Sequence, residues 1–173
     1  MPPVLKTLIS RDQIQARVAE LAAQINQDYA GQELILVGVL NGAFIFLADL
    51  ARQLQIPVRI DFIRLTSYGT AAVSSGEVRI MKDVELPLRD QHVLVVEDIM
   101  DSGLTLDFLR RHLEGHRPAS LRICCLIDKL ERRDVKVPLD YVGFTIPQGF
   151  LVGYGLDYAH QYRHYPEICE INL

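Results

Sequence analysis

Glu97, Asp98 and Asp101 place three carboxylates within five residues, and Ser102-Gly103-Leu104-Thr105 follows at once. In front of them Val93 to Val96 are four consecutive large apolar residues, a short run bounded by charge that reads as a strand buried on both faces. Behind them Leu106, Leu109 and Leu113 recur at helical spacing, with Arg110 and Arg111 on other faces and Thr105 placed to cap. The stretch predicts strand, tight loop, helix. A glycine in so short a loop lets several backbone N–H groups point at one spot near a helix N-terminus, which makes a site for phosphate or another anion. Neither GxxxxGK(S/T) nor GxGxxG occurs. Carboxylates beside a phosphate repel it unless a divalent cation lies between them or the acids accept from sugar hydroxyls. A ribose phosphate with Mg²⁺ meets both conditions.

The elements that must hold this loop are legible on either side. Ser10 and Gln13 fit a capping box, and Ile14, Val18, Leu21, Ile25 and Tyr29 repeat at helical spacing up to Gly31. Leu34 to Leu40 is a second fully apolar strand, Asn41-Gly42 breaks it, and residues 43–54 read as a helix. Pro57 stops that helix and Val58 to Leu65 alternates like a strand. Strand–helix–strand implies a right-handed crossover and a parallel sheet. Thr66 to Glu77 is small, polar and Gly-bearing, either a disordered loop or a lid, before a strand at Val78 to Met81. Leu121 to Ile127 and Asp140 to Thr145 are further strands, the first followed by the charge run Asp128 to Arg133, the second ended by Pro147. No repeat, linker or low-complexity tract divides residues 1–173, which are expected to form one domain.

Composition narrows the function classes. Hydrophobic content of 49% and charged content of 23% suit a soluble globular protein. A net charge of −4 is no electrostatic match for nucleic acid. The N-terminus lacks an apolar run long enough for a signal peptide, and Leu34 to Ala51, broken by Asn41 and Asp49, is too short and polar to span a membrane. Three cysteines without a CxxC suggest reduced, buried thiols and a cytoplasmic location, with Cys124 and Cys125 on opposite faces of their strand. The pairs His112/His116 and His160/His164 are each spaced by four, but neither has a suitable third metal ligand nearby in sequence. Surface histidines are the expectation there.

The run Glu97-Asp98-Ile99-Met100-Asp101-Ser102-Gly103-Leu104-Thr105 resembles the phosphoribosyl-pyrophosphate (PRPP) loop of type I phosphoribosyltransferases, and Asp101 narrows the likeness to the 6-oxopurine branch, of hypoxanthine(-guanine) type. That resemblance extends from Leu34 to Leu173 through four separated motifs. It implies an α/β fold with a central, mostly parallel sheet flanked by helices, a small hood region and a flexible loop. It implies transfer of the phosphoribosyl group of PRPP to hypoxanthine or guanine, with release of pyrophosphate and Mg²⁺ as cofactor. Residue by residue, Glu97 and Asp98 would meet the ribose hydroxyls and a Mg²⁺, and Asp157 would hold a second Mg²⁺ beside the purine and pyrophosphate. Asp101, Ser102, Gly103, Leu104 and Thr105 would cradle the 5′-phosphate, and Asp101 would act as general base at purine N7. Lys129 would donate to the purine O6, Phe150 would stack on the base, and Leu151 would touch its edge through the backbone. Asn41 and Gly42 would hold pyrophosphate through backbone N–H groups across a cis Leu40–Asn41 peptide, with Arg163 beside them. Many relatives carry Lys or Arg at position 41 and Lys at position 104, so Asn41 and Leu104 point to backbone contacts in both pockets. Ser67-Tyr68 resembles the start of a mobile loop that closes over PRPP and excludes water.

The resemblance further implies a homodimer or homotetramer in the cytoplasm, with no nucleic-acid or membrane partner. Two other functions compete. A xanthine-guanine phosphoribosyltransferase is disfavoured by Phe150 to Tyr158 and by total length. A non-catalytic, PRPP-sensing regulator on the same fold would want a basic face or an added DNA-binding domain.

Overall fold

The protein is represented by a computed structural model that describes the backbone of residues 4–70 and 73–172, with side chains described outside 68–70 and 73–76. In chain order the elements are β1 (Val4–Ile9), α1 (Arg11–Asp28), β2 (Leu34–Leu40), α2 (Phe44–Ala51), β3 (Val58–Thr70), β4 (Val73–Lys82), β5 (His92–Met100), α3 (Leu104–Glu114), β6 (Ser120–Lys129), β7 (Tyr141–Ile146), β8 (Leu151–Val152) and β9 (Ile168–Asn172).

Six strands form the main sheet in the order β4-β3-β2-β5-β6-β7. All neighbours in it run parallel except the β3–β4 pair. The apolar runs at β2 and β5 lie at its centre, where only large apolar residues can fill both faces. One face packs against α1 and α2 through Val18, Leu21, Ile25, Phe46 and Leu50. The other packs against α3 through Leu106, Leu109 and Leu113. Cys124 belongs to the first cluster and Cys125 to the second, as the alternation of β6 requires. The Ser10–Gln13 capping box is formed in both directions, and Gly31 takes a left-handed φ of 77° just beyond α1.

Several boundaries differ from the sequence expectation, each for a physical reason. Thr66 to Thr70 and Val73 to Glu77 are strand residues, not loop. They pair within a β3–β4 hairpin, with Thr66 opposite Arg79, Ser67 opposite Val78 and Tyr68 opposite Glu77. Pairing satisfies backbone donors and acceptors that a polar loop would leave to water, and Thr and Val suit a strand. Only Ala71 and Ala72 of that segment lie outside the described residues. β5 and β6 also run past their apolar runs, so Glu97 and Asp98 are strand residues and Lys129 ends a strand instead of sitting in an exposed charge run. Thr105 does not cap α3, because Gly103 holds that position with φ 86°. α2 stops at Ala51, shorter than the expected 43–54.

A second sheet, β1-β9-β8, is antiparallel and joins the two ends of the chain, with Val4 opposite Asn172 and Leu151 opposite Glu170. It is the hood. β1 carries no fully apolar run, and its partner lies some 160 positions on, which explains why only a helix was expected from the first thirty residues.

Candidate functional site

β2, β5 and β6 are parallel neighbours, so their C-terminal ends at Leu40, Met100 and Lys129 bring residues 41–43, 101–103 and 130–140 to one edge of the sheet. Open α/β sheets bind ligands at that edge.

The loop after β5 is short because Gly103 turns it. Its φ of 86° suits glycine, and an added Cβ would lie 2.2 Å from the Val135 carbonyl oxygen. The Ser102 carbonyl accepts from the backbone N–H groups of Asp134 (2.9 Å) and Val135 (3.0 Å), which clamps the loop against the segment after β6. Ser102 Oγ accepts from the Leu104 N–H at 3.3 Å. The first turn of α3 therefore opens onto a cavity of about 170 Å³ lined by Glu97, Asp98, Asp101, Ser102, Gly103 and Thr105, among others. The first N–H groups of a helix have no intrahelical partner, so this is an anion-receptive wall.

The acids sit in unlike surroundings. Glu97 is 6% exposed. Burial pushes its carboxyl well above the usual carboxylate range, and the neighbouring Asp98 charge pushes the same way, against a backbone N–H donated by Asp98. Asp98 accepts from the Ile99 N–H at 2.8 Å. Asp101 has one oxygen, Oδ1, that is buried without a hydrogen-bond partner among the described residues, while Oδ2 lies 3.7 Å from Lys129 Nζ. Lys129 is itself buried, with Nζ also 3.6 Å from Glu131 Oε2. Glu131 Oε2 in turn accepts from the Gly149 N–H at 3.2 Å, next to Phe150. Phe150 is 45% exposed and stands edge-on to Tyr158, with ring centroids 5.6 Å apart. Leu151 beside it is buried in β8.

The third wall comes from residues 153–163. The Leu40–Asn41 peptide is cis, as expected from the resemblance. A Cβ on Gly42 would lie 1.8 Å from Asp98 Oδ2, and one on Gly155 would lie 2.1 Å from the Gly42 carbonyl oxygen, so the loops at 42, 98 and 155 are in contact. Asp157 follows two residues later. Its Oδ1 pairs with Arg163 Nη2 at 3.1 Å, and its Oδ2 accepts from the His160 N–H at 2.9 Å. Arg163 also donates to the Gly155 carbonyl at 2.6 Å. Glu97, Asp98, Asp101, Lys129, Gly42, Asp157 and Arg163 thus converge through contacting loops. Ser67 and Tyr68 lie on the β3 extension, which continues six residues past the last β2 pairing at Arg64.

Three residues of this neighbourhood gave no signal in the sequence. Arg133 Nε donates to the Asp101 carbonyl (3.1 Å), and its Nη2 donates to the carbonyls of Met100 (3.4 Å) and Lys129 (2.9 Å) and to Asp128 Oδ1 (2.5 Å). It ties the end of β6 to the loop after β5, yet in sequence it is one cation of a charge run. Glu131 and Tyr158 are equally anonymous, since their roles appear only once the chain is folded.

Larger hollows, of about 360 and 460 Å³, lie around Asp49, Arg52 and Tyr154. There Asp49 is engaged at both oxygens, by Arg52 at 2.5 Å and by the Tyr154 hydroxyl at 2.5 Å. The smaller cavity holds the unpartnered acceptor, and that chemistry matters more than volume.

A family model described as "Phosphoribosyl transferase domain" matches residues 10–159. The hypoxanthine phosphoribosyltransferase of Salmonella typhimurium is 46% identical over 175 residues, covering 100% of this chain and 98% of that protein. The hypoxanthine-guanine phosphoribosyltransferase of Mycobacterium tuberculosis is 46% identical over 166 residues, covering 92% of this chain and 82% of that one. The crystal structure of a hypoxanthine-guanine phosphoribosyltransferase from Bacillus anthracis superposes with a TM-score of 0.91 at 47% identity, covering 96% and 98% of the two chains. With its parallel sheet, its acid-rich loop after β5 and its antiparallel hood, the chain belongs to the phosphoribosyltransferase family, in the hypoxanthine(-guanine) branch.

Proposed function

We propose that this enzyme joins hypoxanthine, and guanine, to PRPP, giving IMP or GMP and pyrophosphate, in purine salvage. The observation that carries the reading is Asp101, in the loop that opens α3: its Oδ1 is a buried acceptor with no partner among the described residues, and its Oδ2 lies 3.7 Å from the Lys129 ammonium. A lone acceptor of this kind is costly in a resting fold and is satisfied by a ligand N–H. Asp101 takes the proton that the purine must lose as N9 bonds to C1′, acting at N7 as general base. Lys129 donates to the 6-oxo group, which adenine lacks. Phe150 offers its exposed face to the base, and Leu151 adds a backbone contact. Backbone N–H groups from Asp101 to Thr105, with the Ser102 and Thr105 hydroxyls, hold the 5′-phosphate. Those of Asn41 and Gly42, with Arg163, hold pyrophosphate.

The donors Glu97, Asp98 and Asp157 are all carboxylate oxygens, a set that suits a hard divalent cation. Asp98 and Asp157 would hold Mg²⁺, with Glu97 supporting Asp98 and the ribose hydroxyls. The bound cation supplies charge neutralisation for the departing pyrophosphate. Buried, reduced thiols at Cys124, Cys125 and Cys169 fit a cytoplasmic enzyme, and no helix among the described residues is long and apolar enough to cross a membrane. The working form is a homodimer or homotetramer, as the family likeness implies.

Pyrophosphate release with PRPP, Mg²⁺ and a panel of bases tests this. Turnover with hypoxanthine and guanine is expected, with xanthine far behind. Xanthine matching guanine would establish the xanthine-guanine reading instead, and no turnover with any base would establish a PRPP-sensing role.

A further inference from the structure

Asp83, His112 and His116 meet at the end of α3 remote from the phosphate loop. One nitrogen of each imidazole and one oxygen of Asp83 lie within 4.8 Å of one another. His112 lies nine positions along α3 from Gly103, about 14 Å at 1.5 Å per residue. His112 sits in the last turn of the helix and His116 just beyond it, where the chain turns through the His116 N–H to Leu113 carbonyl bond of 3.0 Å. Asp83 arrives from the end of β4, so the third ligand that the sequence lacked nearby is supplied by the fold.

Two of the three side chains are already held. His112 Nε2 lies 2.9 and 3.1 Å from the two oxygens of Asp83. Asp83 Oδ1 also accepts from the Val84 N–H at 2.7 Å, which orients the carboxylate. The Phe108 ring lies parallel to His112, and His116 stands edge-on to it with centroids 5.2 Å apart. The His112 and Asp83 side chains are 25% and 45% exposed, open enough for an ion to enter and for water to complete its shell.

We propose that Asp83, His112 and His116 form a binding site for a borderline divalent transition metal, Zn²⁺ foremost, separate from the carboxylates at the sheet edge. Two imidazoles and one carboxylate, with a fourth position left to water, are the donor set such ions take. Tetrahedral Zn²⁺ with bonds near 2.0–2.1 Å needs donors about 3.3 Å apart. The His112–Asp83 pair is close to that spacing, and rotation of His116 about its side-chain bonds closes the rest. Binding replaces the hydrogen bond between His112 and Asp83 with a bond from each side chain to the ion. The ion then clips the base of the β3–β4 hairpin to the C-terminal end of α3.

The test is zinc chloride calorimetry on the full chain, loaded beforehand with Mg²⁺ and IMP to occupy the other carboxylates. The parent should bind one equivalent at micromolar concentration, and zinc should raise its melting temperature. His116→Gln and Asp83→Asn should each weaken binding about tenfold or more, as loss of a ligand-shell partner does, and lose the zinc-dependent rise in melting temperature. His116→Gln carries the test alone if the Asp83 variant fails to fold. Absence of zinc binding in the parent, or equal affinity in parent and His116→Gln, overturns the proposal.

Discussion

The main sheet and the hood contribute to one site with different materials. In the main sheet β2 is buried nearly throughout its length and β5 and β6 through their central runs, and their ends are fixed by parallel register. The loops they launch are short, and the loop after β5 is anchored through Ser102 and Arg133. The hood has three short antiparallel strands. The segment it launches, 153–163, has no long element and carries left-handed φ at Gly153, Tyr154, Gly155, Ala159, His160 and Tyr162. Its hydrogen bonds run across the turn, such as Tyr154 N–H to Tyr165 carbonyl (2.8 Å) and Gly155 N–H to Arg163 carbonyl (2.9 Å). The main sheet thus presents a cluster of carboxylates beside a helix N-terminus, and the hood presents an exposed ring and an arginine–aspartate pair. Charged transition states need fixed donors, whereas stacking on a base tolerates a looser wall.

The comparison breaks first at Asp101. Asp101→Asn keeps the side chain's shape and removes the proposed base, so kcat should fall by about 10²–10⁴-fold while IMP still binds, since proton transfer of this kind is worth that much. Rapid-quench kinetics with calorimetry on the same sample checks both halves. Next comes Gly155, where the two regions touch. Its φ is 98° and an added Cβ would meet the Gly42 carbonyl at 2.1 Å. Gly155→Ala should cost about 1–3 kcal/mol of stability, the usual toll of a non-glycine residue forced into such backbone, and should raise KM for PRPP by disturbing the loop at 41–42. Urea titration and initial rates read the two effects.

Phe150→Ala should leave the melting temperature almost unchanged, because the ring is 45% exposed. It should raise KM for hypoxanthine by a factor set by about 1–3 kcal/mol of stacking, with KM for PRPP unmoved. The smallest effect concerns Glu97. Burial, then the Asp98 charge, raise its folded value above the unfolded one near 4.3. The folded chain therefore holds a proton that the unfolded chain releases, so this group's stability contribution is full below that unfolded value and declines as pH climbs through the folded one. Glu97→Gln should flatten that decline in denaturation curves measured across pH, and the variant should be the more stable protein at neutral pH.

The sequence was an uneven guide to these two regions. The main sheet could be read from LILVGVL and VLVV, because buried central strands admit only large apolar residues and leave an unbroken signature. That Asp98 and Asp157 share one site is implied only by the family resemblance, and in the fold their segments touch through Gly42 and Gly155. The hood strand β1 was invisible because its identity depends on pairing with β9 at the other terminus. The outer ends of β3 and β4 read as a loop in sequence because Thr, Ser and Gly are turn formers unless their cross-strand partners are known. Arg133 is one charge in a run of mixed sign, and the third member of the Asp83–His112–His116 cluster lies 29 positions away from His112. Local patterns report burial, whereas long-range pairing and side-chain clusters do not leave a period to find.

The central claim is that the loop after β5 grips the 5′-phosphate through its own backbone. Amide spectra recorded as IMP is added with Mg²⁺ test it most directly. The N–H signals of Asp101 to Thr105 should show the largest shifts, with smaller ones at Lys129 and Phe150. Unmoved signals there, with the largest shifts instead around Asp49 and Tyr154, would contradict the account.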